Sequence, residues 1–177
     1  MIYIDLGCHN GDTIKNFCKG YFHGIDPLNV KSIGIDPLNK YEEEKRDLTE
    51  RYSTQFIDKA AWVEDGEIDF SEKEQDIKSS IMTDKKNYKE GKIYKVPCFD
   101  FSKFVEDLND EVVIRMDIEG AEYPVLEKMI LDGTILKVKF LEVERHAMKM
   151  GKAQDFLDRE KIIFADLNRL GIKYKAV

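Results

Sequence analysis

Disulfide pairs, long apolar runs and a basic surplus are all missing from this chain. Cysteine occurs three times, at Cys8, Cys18 and Cys98. An odd, widely spaced set offers no disulfide framework and reads as reduced thiols. No stretch without a charged residue exceeds six residues, which excludes a membrane-spanning helix. Basic residues number 28 against 35 acidic ones, a net charge of −7. That balance argues against loose electrostatic binding to nucleic acid. The chain starts Met1-Ile2-Tyr3-Ile4-Asp5, with no basic stretch ahead of an apolar one, so the expected location is cytoplasmic. Nor is the composition that of a disordered or collagenous chain, with 42% hydrophobic and 36% charged residues. What remains is one soluble domain over 1–177, large enough to build its own core.

Two kinds of segment alternate along it. Residues 1–6, 31–36, 54–60, 111–116 and 138–143 are short apolar runs rich in Ile, Val, Phe and Tyr, most of them apolar on both faces as buried parallel strands must be. Helical stripes lie between and after them: Ile14, Phe17, Cys18 and Tyr21; Tyr41, Leu48 and Tyr52; Val125, Leu126, Met129 and Ile130; Phe156, Ile163, Phe164, Leu167 and Leu170. This alternation predicts an α/β fold, a mostly parallel sheet with helices on both faces. One region departs from it. Residues 64–67 read as a turn that brings 68–70 back beside 60–63. Residues 71–92 are then polar, with Ile77, Ile81 and Met82 as apolar anchors, and form a long loop or lid. The hexapeptide Gly-Ile-Asp-Pro-Leu-Asn occurs twice, at 24–29 and 34–39, too short and too few for a repeat fold.

Four blocks carry chemistry. The first strand runs into Asp5-Leu6-Gly7-Cys8-His9-Asn10-Gly11-Asp12-Thr13 and then a helix. Glycines there let the backbone turn tightly and a ligand lie against it, while Asp12 and Thr13 sit where a helix start needs caps. The spacing is not that of a dinucleotide binder, and the acid Asp5 suits a cationic ligand better than a pyrophosphate. S-adenosylmethionine carries a sulfonium and an ammonium and no phosphate. Asp36, at the tip of the second strand in Ile35-Asp36-Pro37, is placed to accept bonds from a ribose diol. Its duplicate Asp26 has no strand before it, so Asp36 is favoured. Asp117 ends the strand Val112-Val113-Ile114-Arg115-Met116, with Glu119 and Glu122 following as helix-capping acids. Glu142, Glu144 and His146 close the last block; Asp117, Glu144 and His146 are the candidate catalytic set, as base, orienter or metal ligands.

In this order the blocks resemble the FkbM family of S-adenosylmethionine-dependent methyltransferases. The resemblance rests on Asp5-Leu6-Gly7 through Gly11-Asp12-Thr13, on Ile35-Asp36-Pro37, on Ala60-Ala61-Trp62 through Gly66 and Phe70, on Arg115 through Glu122, and on Leu141 through His146. It implies a class I, Rossmann-like methyltransferase fold and methyl transfer to a hydroxyl, often of a sugar or polyketide, so glycan modification is expected. On the cofactor side it points to Asp5, Gly7, Asn10, Gly11, Asp12, Thr13, Asp36, Pro37 and Ala60. Mg²⁺ on Asp117 and Glu144 is a further expectation, since hard oxygen ligands suit it. The sheet of such enzymes closes with an antiparallel seventh strand, whereas residues 171–177 supply one more strand and the sequence stops. A truncated C-terminal edge, completed by a second copy or a further domain, is therefore expected. Two other readings stay open: a nucleic-acid methyltransferase, with Pro97-Cys98 as a nucleophile dipeptide, and a cofactor-binding scaffold without catalysis.

Overall fold

A computed structural model describes residues 1–20, 26–27, 30–73 and 79–177. The first half of the chain contains β1 (Ile2–Leu6), α1 (Asp12–Cys18), β2 (Lys31–Ile35), α2 (Glu42–Tyr52), β3 (Gln55–Ile57), β4 (Ala60–Trp62) and β5 (Gly66–Glu72). The second half adds β6 (Lys92–Asp100), α3 (Phe101–Asp107), β7 (Val112–Met116), α4 (Glu122–Asp132), β8 (Val138–Val143), α5 (Ala153–Arg169) and β9 (Tyr174–Ala176). Six strands form the main sheet in the order β3-β2-β1-β7-β8-β9, and every ladder in it is parallel. The α/β class expected from the alternation is the one observed.

β1 is buried along its whole length because β2 and β7 flank it and helices cover both faces. Ile2, Ile4 and Leu6 point into a core shared with Leu126 and Met129 of α4 and Ile163 and Leu167 of α5. Tyr3 points the other way and stacks flat on Phe17 of α1, ring centroids 4.0 Å apart, beside Ile14 and Val113. Burying each such side chain stabilises the fold by roughly 1.5–3 kcal/mol. Asp100 accepts from the backbone N–H of Lys103 at 3.0 Å and so caps α3, while Gly133 ends α4 in the left-handed region at φ 78°. Tyr21, expected on the stripe of the first helix, and Ile77, expected as an anchor of the long loop, lie outside the described residues.

Two expectations are corrected. The run 54–60 is not one strand. It ends as β3 at Ile57, where Lys45 holds Asp58 at 2.8 Å, and the chain leaves the sheet before β4 begins. Nor does the returning segment pair with 60–63. β6 lies between them, parallel to β4 and antiparallel to β5, in a separate three-stranded sheet. β6 hides among charges because only one side of it is buried: Val96 and Cys98 point in, Lys95 and Pro97 out. Pro97 is tolerated because it sits opposite Glu67 of β5, just before the stretch of β6 that pairs with β4. At the far edge of the main sheet β9 lies directly on β8, Tyr174 opposite Leu141. No helix among the described residues is long and apolar enough to cross a membrane.

Candidate active site

The tips of β2, β1 and β7 end side by side and are tied together. The N–H of Gly7 donates to the carbonyl of Ile35 at 2.9 Å, and that of Asp117 to the carbonyl of Leu6 at 3.0 Å. Gly7 holds φ +77°, and a Cβ on it would run into the carbonyl oxygen of Asp117. Its lack of a side chain thus serves the neighbouring strand and not only a ligand. Asp36 and Asp117, the residues directly after β2 and β7, flank this turn two strand spacings apart, about 10 Å.

Between and above them lies a cavity of about 260 Å³. Gly7, Asn10, Asp12, Thr13, Asp36, Pro37 and Ala60 line it, as does Asp117. Asp5 and Gly11, expected beside them, do not. Asp5 is fully buried behind the cavity, accepting from the Thr13 hydroxyl and, at 3.1 Å, from Arg115. Burial pushes its carboxyl up to about 6, against the pull of Arg115 and Thr13. Thr13 therefore anchors α1 to β1 instead of capping it, and the residue at the cap is Gly11, pressed against Leu48. Asp26 is exposed and outside the cavity.

Asp36 is nearly enclosed. One carboxylate oxygen accepts from the N–H of His9 at 3.0 Å, the other from the N–H of Leu38 at 2.8 Å. Burial raises its carboxyl above the usual range, and these two donors oppose that. Each oxygen keeps a second lone pair. The wall beyond it is apolar, formed by Leu38, Phe70, Ile81 and Ala121. Ser79, Ser80 and Ile81 come from the loop after β5. The sequence offers Ile81 as an apolar anchor of this loop but nothing that marks Ser79 and Ser80, and hydrogen bonds pin the loop there. Ser80 pairs through its backbone with Ser71 and donates its hydroxyl to the carbonyl of Glu119 at 2.9 Å, and Lys85 reaches Glu119 Oε2 at 2.6 Å.

The opposite wall is acidic. Asp117 accepts from Arg115 at 2.9 Å. Behind it His146 is completely enclosed, its Nδ1 2.9 Å from Glu122 Oε1. Its Nε2 faces Glu119 at 3.2 Å, Glu144 at 3.4 Å and Asp117 at 3.7 Å. Burial alone would lower the imidazole; the bond to Glu122, its charge and that of Glu119 outweigh it and raise the group above its ordinary value. Burial, followed by the charge of Asp117, likewise raises Glu144. The structure thus brings the three candidate catalytic side chains together, with Glu144 and Asp117 reaching solvent and His146 shut behind them. Among the described residues, the donors close enough to share one ion are Asp117, Glu119 and His146, so Glu144 is not in the tightest set. Glu119 and Glu122, taken from sequence as helix-capping acids, belong to the same cluster. Cys98 lies outside the cavity with a thiol raised by burial, so it is not placed as a nucleophile there.

No curated protein matches the chain, and no solved structure does. A family profile described as "Methyltransferase FkbM domain" matches residues 5–170. That span runs from the acid behind the glycine turn to the end of the last helix and takes in every side chain of the cavity and its acidic wall. The chain therefore belongs to the FkbM methyltransferase family.

Proposed function

We propose that the chain transfers a methyl group from S-adenosylmethionine, the usual cofactor of a methyltransferase domain, to a hydroxyl of a sugar, glycan or related small molecule. The observation that supports this best is the make-up of the cavity at the strand tips. An acid with free lone pairs, Asp36, stands beside an apolar wall, and an acidic wall faces it across the Gly7 turn. A ribose diol suits Asp36, a purine the apolar wall formed by Leu38, Ala60 and Phe70, and a sulfonium and ammonium the acidic side.

Methyl transfer is an in-line displacement. The acceptor oxygen forms a bond to the methyl carbon as the carbon–sulfur bond breaks, sulfur keeps the electron pair, and the hydroxyl proton must leave. Glu144 is the group to take it, because it is the most exposed carboxylate of the cluster and its carboxyl is raised above the usual range. Asp117 orients it, and His146 supports both from behind. The test is transfer of labelled methyl from the cofactor to a panel of glycans and small hydroxylated acceptors. Glu144→Gln is expected to lower kcat by about a hundredfold or more, the scale of a lost general base, with cofactor affinity little changed. Full turnover in that variant, or label found only on nitrogen, contradicts the reading.

A further inference from the structure

We propose that Asp117, Glu119 and His146 form a binding site for one divalent ion that accepts nitrogen as well as oxygen ligands, such as Mn²⁺, in preference to Mg²⁺. The proposal deepens the methyl-transfer reading of this cavity, and the binding it concerns is measurable without cofactor or acceptor.

The side chain that points to it is His146. No solvent reaches the ring, yet Nε2 has no hydrogen-bond partner among the described residues. It is aimed into a ring of carboxylates, with oxygens of Glu119 at 3.2 Å and Asp117 at 3.7 Å. Ligand atoms at right angles around one ion, each about 2.1 Å from it, stand about 3 Å apart. The donor atoms of the three residues all lie within 4.8 Å of one another, so a small inward shift of Asp117 completes the set. The other ring nitrogen is held as metal-bound histidines are held. Nδ1 meets Glu122 at 2.9 Å, and Glu122 is itself fixed by the N–H of Gly120 at 2.9 Å.

Charge leads the same way. Arg115 bridges Asp5 and Asp117. Around His146 stand Asp117, Glu119, Glu122 and Glu144, and the ammonium groups that face them belong to Lys85 and Lys149. Counting Arg115 against Asp5, among the described residues four carboxylates meet two ammonium groups, so a metal-bound, neutral His146 leaves the cluster two positive charges short for an ion to supply. Lys85 does not fill the position, since it approaches Glu119 from the loop and a carboxylate oxygen can accept from an ammonium and still hold an ion. An imidazole among the ligands selects against Mg²⁺, which prefers oxygen and water.

The test is titration of the metal-free protein with Mn²⁺ alone, followed by electron paramagnetic resonance. Saturable binding of one Mn²⁺ per chain is expected, with spin-echo modulation from a coordinated imidazole nitrogen. Glu122→Gln should weaken binding by about 10–100-fold, the effect of losing the partner of a metal-bound histidine. No saturable binding overturns the proposal, as does bound Mn²⁺ without nitrogen coupling or its displacement by equimolar Mg²⁺. The wild-type spectrum decides the ligand even if a variant of the buried cluster fails to fold. Methyl transfer that persists in a chain without saturable Mn²⁺ binding removes the metal and leaves the enzyme reading intact.

Discussion

Gly7 sits where three constraints meet: a left-handed backbone, the tip of β1 and the carbonyl of Asp117. Any side chain there strains the backbone by about 1–3 kcal/mol before the clash is counted. Gly7→Ala is therefore expected to lower Tm by about 5 °C or more in a domain of this size, read by calorimetry. A variant with wild-type Tm but no cofactor binding would show that the glycine serves the ligand alone. The positions of Asp36 and Asp117 are legible in the sequence because each directly follows an apolar strand, and an acid at a strand tip lies at the crevice. Glu119 and Glu122 are not legible as cluster members. Near a helix start any acid has a local explanation, and only the fold reveals His146, 24 residues beyond Glu122, against it.

Among the elements, those buried on both faces are the ones the amino-acid pattern reveals. β1 and β7 are apolar runs broken only by Asp5 and Arg115, which pair with each other, and their observed bounds fall within one residue of those expected. β6 is hidden, since its partners are distant in sequence and its outward face is charged, and the loop before it is legible as a loop while its contacts are not. That loop is nevertheless part of the site through Lys85, whose ammonium is almost wholly enclosed against Glu119. Lys85→Met leaves the Glu119 carboxylate short of its partner, a loss of about 3–5 kcal/mol when a buried pair is broken from one side. Pairing it with Glu119→Gln should recover part of that loss. The denaturation midpoints of the single and double variants check this: strict additivity would mean that the contact does not couple the loop to the turn before α4.

Over the whole molecule, Asp5, Asp36, Glu144 and His146 are displaced in one direction, while burial lowers the Lys85 ammonium against the pull of Glu119. Asp5 is raised to about 6, Asp36, Glu144 and His146 are also raised, and the folded chain therefore keeps protons that the unfolded chain has released. The stability these protons supply is fully present below the unfolded values. It is lost as pH rises, first from about 4 to about 6 through Asp5, then above about 6.5 through His146. In chelator-treated protein, Tm should fall by roughly 5 °C between pH 5 and 8. A flat or rising Tm over that range contradicts the raised values of these groups. If the cavity between β2, β1 and β7 holds the cofactor through Asp36, calorimetric titration with S-adenosylmethionine shows one site per chain. Asp36→Ala should weaken it at least about tenfold, since each charge-assisted bond to a hydroxyl is worth roughly 1.5–3 kcal/mol, while Asp26→Ala leaves it unchanged. Absence of binding to the wild-type chain, or equal binding to the Asp36→Ala variant, would contradict that placement of the cofactor.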